Sequence, residues 1–434
     1  MAGGALKRAV SPSRPISPPP LRRKLDSTVK KTVAQSFFTP SSKKKPEKLT
    51  WRVLHDSLLV GKYSDSAANR TQGTGKLKVA AFDFDSTLVK TASGNKFPSH
   101  ANDWKWWNEC VPSRLRELNK EGFQLVIMSN QKAVRLKKEK TGGDSKSLTI
   151  LKGRLSNMMK ELNVPLSAYA ATADDEYRKP RAGMWREFVD DYDLDVTGID
   201  TLKSIFVGDA AGRPNDHSLA DRGFASNASL SFKTPEEFFL NADPEPTVDS
   251  FNPSVYVQSD STEDVSPPFS RQSPVELVIF CGSPGAGKST FYWNYLEPLE
   301  YERVNQDILK TKPKCIKVAK EHLAAGRSVV VDNTNADPET RAQWIAVAKE
   351  FGVPIRCVYF SAPPALCKHN NAVRAANKSL NPESRQSLPG IAFNDFLRRF
   401  KEPALSEGLK DIIRVDFQFR GDKDAKKLWE QYWV

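Results

Sequence analysis

The chain has 434 residues, 39% of them hydrophobic, and a formal net charge of +13. That length suits two to three domains, each large enough to bury its own core. No apolar run approaches membrane-spanning length and the N-terminus lacks an apolar signal core, which argues against a membrane or exported protein. The five cysteines (Cys110, Cys281, Cys315, Cys357, Cys367) are odd in number and follow neither framework nor zinc spacing, so reduced thiols in an intracellular protein are expected.

The charge is unevenly placed. Residues 1–48 hold twelve Lys/Arg and two acids, Asp26 and Glu47, so this segment carries +10 and the rest of the chain +3. Its Ser-, Pro- and Lys-rich composition cannot bury enough apolar area to offset the entropy of ordering, and disorder is expected. A polybasic tail is attracted to nucleic acid or serves as a nuclear address; a merely solubilising tail is the alternative. Within it, Lys31 to Phe38 ends in Phe37-Phe38 and resembles the motif that docks on the sliding clamp of replication. Lys31 and Ala34 stand where that motif has Gln and a larger aliphatic residue.

From about residue 50 the pattern alternates strand and helix. Val79–Phe82, Gln124–Met128 and Ser204–Val207 are apolar runs of strand length, separated by helical stretches at Pro112–Glu121, Leu148–Leu162 and Gly183–Tyr192. That rhythm predicts a doubly wound parallel sheet with crossover helices, whose reactive loops lie at the carboxyl ends of the strands. Asp83, Ser129 and Asp209 fall there. A Pro-rich stretch, Asn241 to Pro274, reads as a linker. A second α/β domain then starts with the strand Val275–Cys281 and continues through Ser328–Val331 and Ile355–Phe360. The expected organisation is a tail (1–48), a first domain (49–240), a linker (241–274) and a second domain (275–434).

Asp83 and Asp85 stand just past a buried strand. One carboxylate can attack phosphorus while the other protonates the leaving oxygen and later activates water. Two acids so close repel, and Mg²⁺, which prefers oxygen ligands, is the natural remedy. Taken singly, the pieces have ordinary explanations: a turn at Asp-x-Asp, a helix cap at Ser129, a surface lysine at Lys179. In order, Asp83-Phe84-Asp85-Ser86-Thr87, Ser129-Asn130-Gln131, Lys179-Pro180 and Gly208-Asp209 resemble the motifs of the haloacid dehalogenase superfamily of phosphatases. The resemblance implies an aspartyl-phosphate on Asp83, with Asp85 as acid and base. Thr87, Ser129 and Lys179 would hold phosphate oxygens, and Asp83, Asp85 and Asp209 would bind Mg²⁺. Ser86 stands where that family usually has Gly.

Gly282-Ser283-Pro284-Gly285-Ala286-Gly287-Lys288-Ser289 satisfies the P-loop pattern directly after a strand. Gly282, Gly285 and Gly287 let the backbone curl so that its N–H groups face the phosphates of ATP. Lys288 would reach the terminal phosphates, and Ser289, followed by Thr290, would bind Mg²⁺. Asp307 is the candidate base for an acceptor hydroxyl, or a helix cap. Asp332-Asn333-Thr334-Asn335 follows a strand and could assist magnesium or the acceptor. His369-Asn370-Asn371, Arg374, Lys378 and Arg385 suit a lid whose cations neutralise a transferring phosphate, or a solvated helix face.

Together with Ser93-Gly94-Asn95-Lys96-Phe97-Pro98, Arg178 to Trp185, Gly208-Asp209-Ala210-Ala211-Gly212-Arg213 and Pro235 to Phe239, these motifs resemble the polynucleotide kinase 3'-phosphatases of DNA strand-break repair. The similarity runs from about residue 50 to the C-terminus. It implies a nuclear, monomeric, bifunctional enzyme that acts on DNA strand-break ends, with Asp307 as the kinase base and Mg²⁺ and ATP as cofactors. Fewer than fifty residues precede the similarity, so the forkhead-associated domain of animal relatives is not expected. Gln306 replaces an Arg frequent in relatives. Trp104, Trp106 and Trp107 could stack on an unpaired end or belong to the core. A metabolite enzyme with the same two chemistries, and a repair adaptor that only grips DNA ends, are the competing readings.

Overall fold

Val79–Phe82 contains no polar residue, and a strand of that kind must be covered on both faces. In the computed structural model this strand lies inside a seven-stranded sheet. Ala80 and Phe82 face one apolar layer with Leu115 and Leu155, and Val79 and Ala81 face another with Phe188 and Phe224. The structure describes residues 48–64, 75–137, 142–248, 251–257, 268–381 and 383–434. The basic tail up to residue 47, including its clamp-like segment, lies outside the described residues.

The strands of the first half are β1 (Leu49–Leu54), β2 (Leu58–Tyr63), β3 (Val79–Phe82), β4 (Val89–Lys90), β5 (Lys105–Trp106), β6 (Gln124–Asn130), β7 (Leu166–Ala171), β8 (Ile205–Val207) and β9 (Ser231–Lys233). The sheet order is β1-β2-β7-β6-β3-β8-β9, with β4 and β5 forming a separate ribbon. From β7 to β9 all neighbours are parallel, as the alternation of strands and helices implies. The sheet is then extended by the antiparallel hairpin β1–β2, which the sequence analysis did not single out. Polar residues interrupt its apolar pattern, and tertiary contacts hold them. Arg52 pairs with Asp191, which also accepts from Tyr169 Oη at 2.6 Å and lies 3.4 Å from Lys62 Nζ.

The second half is a five-stranded parallel sheet in the order β11 (Glu302–Val304), β12 (Val329–Val331), β10 (Leu277–Cys281), β13 (Ile355–Phe360), β14 (Ile412–Val415). Leu277, Ile279 and Cys281 point to one layer with Trp344, and Val278 and Phe280 to the other with Phe291 and Phe393. Both sheets therefore deliver the residue after an interior strand, β3 or β10, to an edge between neighbours, where side chains from several loops converge.

One expectation changes, and one pair of alternatives narrows. The stretch read as a linker contributes packed pieces where it is described. Phe251 stacks on Tyr256 with ring centroids 5.8 Å apart, Val257 bridges to Phe419, and Phe269 is buried against Phe291 and Tyr301. Prolines interrupt regular structure, but the aromatic residues between them still have apolar area to bury. The tryptophans Trp104, Trp106 and Trp107 pack half-buried on the first core layer, and Trp106 Nε1 donates to Glu161 at 2.6 Å. Phe269→Ala should cost about 3–4 kcal/mol of stability. Val255→Ala in the same stretch, at a side chain 70% exposed, should stay within about 0.5 kcal/mol. Chemical denaturation followed by tryptophan fluorescence distinguishes the two.

Two candidate active sites

At the carboxyl end of β3, the Asp83 N–H donates to the Val207 carbonyl of β8 at 2.9 Å, which points the next residues into the gap between strands. Asp83, Asp209 and Asp221 each bring an oxygen within 4.8 Å of the others. Lys179 Nζ donates to Asp83 Oδ1 at 2.6 Å and lies 2.7 Å from Asp221 Oδ1. Its backbone is held in turn by Asn130, whose Oδ1 accepts from Lys179 N at 2.9 Å and whose Nδ2 donates to Lys179 O at 3.1 Å. Ser129 is buried within the last turnless residues of β6 and is no helix cap; its Oγ accepts from Gln131 Nε2 at 2.9 Å. Thr87 is buried and its Oγ1 lies 3.5 Å from Asp209 Oδ1.

The carboxylate of Asp85 stands apart from this cluster. Arg154 Nη2 donates to its Oδ1 and Gln131 Nε2 to its Oδ2, each at 2.7 Å. Asp85 was expected to share the metal, but the third converging carboxylate is that of Asp221. The physical reason is direction: Asp85 sits two residues on, and its side chain is drawn to the buried guanidinium of Arg154 on helix Lys146–Leu162. Asp221 enters because Gly208 leaves room for it; a methyl there would lie 2.3 Å from the Asp221 carboxylate, which accepts from Ala210 N at 3.0 Å.

Burial pushes the Asp83 carboxyl well above its usual range against the pull of Lys179, and raises Asp209 to about 6 with help from Asp221. Burial alone would lower Lys179, but Asp221 and Asp83 outweigh it and hold the ammonium protonated. One lysine faces three carboxylates, and the donor set is all oxygen. That surplus of negative charge fits Mg²⁺.

In the second half the P-loop follows β10. Gly285 has φ 79°, and a side chain there would meet the Cys367 carbonyl at 2.3 Å, so the close turn requires glycine. Lys288 Nζ donates to the carbonyls of Gly282 and Ser283 at 2.9 and 2.7 Å, and burial lowers its pKa. Ser289 Oγ donates to Asp332 Oδ2 at 2.9 Å, and the same oxygen accepts from Arg303 Nε at 2.9 Å and Asn305 Nδ2 at 3.2 Å. Asn305, not Asp307, caps helix Gln306–Leu309, since its Oδ1 accepts from Asp307 N at 2.8 Å. The Asp307 carboxylate is left exposed, 3.2 Å from Arg385 Nη1.

Lys288, Ser289, Thr290, Asp307, Arg374 and Arg385 line one cavity of about 1360 Å³. A pocket for one small ligand measures roughly 300–1,000 Å³, so this one has room for a nucleotide and an acceptor. The residues named for a lid separate into two groups. Arg374 and Arg385 reach the cavity, while His369 is buried, bonds the Trp429 carbonyl through Nε2 at 2.9 Å, and is lowered by burial to about 4. It is therefore neutral and structural. The Lys378 side chain lies outside the described residues.

Sequence reasoning missed Asp221, Arg154, Gln131 and Arg303 as site residues. Arg154 did leave a signal, because it interrupts the apolar stripe Leu151, Leu155, Met158 of its helix. For Asp221 the hint was an acid in a helix of small residues.

Fold and sites define a two-part α/β enzyme, one half with a phosphatase-type carboxylate centre and the other with a P-loop kinase centre. Residues 78–239 match the family described as polynucleotide kinase 3 phosphatase, and residues 277–314 and 310–403 match an AAA domain. A bifunctional polynucleotide phosphatase/kinase of Schizosaccharomyces pombe is 38% identical over 386 residues, spanning 89% of this chain and 88% of that protein. A putative bifunctional polynucleotide phosphatase/kinase of Acanthamoeba polyphaga mimivirus is 30% identical over 79% of this chain and 85% of its own length. The polynucleotide 3'-phosphatase of Saccharomyces cerevisiae is 31% identical, covering 38% of this chain and 87% of itself. The chain belongs to the bifunctional polynucleotide phosphatase/kinase family.

Carboxyls whose folded pKa is raised bind protons more tightly when folded. Their contribution to stability is full below the unfolded value of 3.8 and is lost as pH rises through about 6. Metal-free protein should therefore become less stable in its first half between about pH 4 and pH 7. Asp209→Asn should flatten that slope, and magnesium chloride should restore stability near neutrality. Thermal unfolding in chelator checks this; an unchanged slope in the variant would count against the raised carboxyl.

Proposed function

We propose that this enzyme heals broken DNA ends with two independent centres in two domains, residues 49–240 and 275–434. The first removes a 3'-phosphate, and the second places the γ-phosphate of ATP on a 5'-hydroxyl. The observation that carries this reading is the pairing, in one chain, of the Lys179-centred carboxylate cluster with a P-loop whose serine meets a buried aspartate.

In the phosphatase, Asp83 attacks phosphorus and forms an aspartyl-phosphate. Asp85, oriented by Arg154 and Gln131, protonates the departing 3'-oxygen and then accepts a proton from the water that cleaves the intermediate. Lys179 and Ser129 hold the phosphoryl oxygens, and Thr87 braces Asp209 beside them. Magnesium held by Asp83, Asp209 and Asp221 would offset the charge that gathers there. In the kinase, the P-loop N–H groups and Lys288 receive the nucleotide phosphates, and Ser289 and Asp332 are placed to hold its magnesium. Asp307 takes the proton of the acceptor hydroxyl, while Arg374 and Arg385 neutralise the transferring group.

An end is recognised through phosphates with no base reading, so binding should weaken steeply with salt. The enzyme acts as a monomer in the nucleus, where the basic tail serves as address or DNA contact and its clamp-like segment offers a docking site.

A duplex nick bearing a 3'-phosphate and a 5'-hydroxyl tests the scheme. Asp83→Ala should cut 3'-phosphate release by more than about a thousandfold and leave 5'-phosphorylation intact; Lys288→Ala should do the reverse. Loss of both activities from either substitution in a folded protein would refute separate centres. Removing residues 1–48 should lower nuclear accumulation, and unchanged distribution would dismiss the address.

A further inference from the structure

One polar side chain joins the phosphatase centre to the last residues of the chain. Helix Ala220–Asn227 carries Asp221 near its start and Asn227 at its end. The Asn227 amide is engaged at both ends: Nδ2 donates to the carbonyls of Pro180 and Tyr432, both at 2.8 Å, and Oδ1 accepts from Tyr432 N at 2.9 Å. Pro180 follows Lys179 directly. On the same helix, Gly223 marks where the three segments meet, since an added methyl would lie 3.0 Å from Pro180 Cβ and 3.1 Å from Tyr432 Cβ.

The other end of this connection is anchored in the kinase half. Trp429, buried at the end of helix Lys423–Trp429, donates from Nε1 to Asn370 Oδ1 at 2.9 Å. Asn370 Nδ2 in turn donates to the P-loop carbonyl of Gly285, also at 2.9 Å. Trp433 is buried against the same cluster. The C-terminal residues are thus fixed on one side by the kinase core and grip Asn227 on the other. A surface helix end could satisfy its amides with water; here a side chain spends three bonds on two backbones far apart in the chain.

We propose that residues 430–434 act as a strap, and that Asn227 is a positioning residue which, through Pro180, fixes Lys179 between Asp83 and Asp221. The inference rests on the reading of Lys179 as the lysine that holds the phosphoryl group. Asn227 touches neither substrate nor carboxylates. It sets the backbone from which Lys179 reaches two oxygens at 2.6 and 2.7 Å, a geometry with little slack. A displacement of about 1 Å at such a site can cost up to a hundredfold in rate.

The test uses the full chain, with kcat and KM measured separately for 3'-phosphate release and 5'-phosphorylation on oligonucleotides. Asn227→Ala should lower phosphatase kcat about tenfold with KM within about twofold, and leave kinase kcat unchanged. Tyr432→Pro, which deletes the donated N–H from the kinase side, should also lower phosphatase kcat, whereas Tyr432→Ala, which keeps it, should not. The double variant Asn227→Ala/Tyr432→Pro should be no worse than Asn227→Ala alone, because Asn227→Ala already removes the bond that Tyr432→Pro deletes. Phosphatase kcat within twofold of the parent in Asn227→Ala, a rise in KM alone, or losses that multiply in the double variant would overturn the strap. If Asn227→Ala lost both activities through misfolding, Gly223→Ala decides by the same criteria, since it wedges the contact without removing a hydrogen-bonding group. A parent with no 3'-phosphatase activity, or one insensitive to Lys179→Ala, would instead defeat the underlying reading of Lys179.

Discussion

The contact on which the phosphatase half depends is a buried ammonium shared between two buried carboxylates, Lys179 with Asp83 and Asp221. Burial alone would strip the charge from the ammonium, and the two acids beside it hold it protonated, while burial pushes the Asp83 carboxyl upward. Asp209 then adds a further negative charge that the lysine does not neutralise, and burial raises its pKa to about 6. The resulting electrostatic deficit is a poor way to stabilise a core and a good way to prepare a cation site. Much of the local structure serves this cluster: the parallel register that puts Asp83 beside Val207, the glycine at 208, and the asparagines that clamp the backbone around residue 179.

The kinase half solves a related problem with one buried acid. Asp332 Oδ2 accepts from Ser289, Arg303 and Asn305, while Glu383 links Arg303 to Arg385, and Arg385 reaches Asp307. This network ties the P-loop, the acid after β12, the proposed base and the proposed lid into one arrangement of alternating charges. A change in the charge of any member is felt by the others, since few of them face bulk water. The two halves therefore share a layout, with charge gathered at strand ends, and differ in how that charge is balanced.

Strands such as β3 and β10 were legible because an uninterrupted apolar run has one physical meaning, burial on both faces. The hairpin β1–β2 was not, since Arg52 and Lys62 break the pattern and are reconciled with it by Asp191 on a distant helix. The same limit explains the stretch before residue 275. Proline frequency suits the irregular backbone of the described residues there, but it carries no information on whether Phe251 and Phe269 find partners. It also explains His369, whose presumed charge disappears once Trp429 and Phe251 enclose it.

The sequence by itself determined the chemistry on offer: two strand-end motifs, the residue types at their reactive positions, and the P-loop whose glycines admit few backbone paths. Local pattern suffices there because a strand, a tight turn and a phosphate cradle are set by neighbours in the chain. Only the tertiary structure decided which carboxylates converge. Asp221 joins Asp83 and Asp209 while Asp85 turns to Arg154, and Asn305 takes the cap that would otherwise occupy Asp307. Those outcomes depend on distances between segments far apart in sequence, and burial then sets the charge each group keeps.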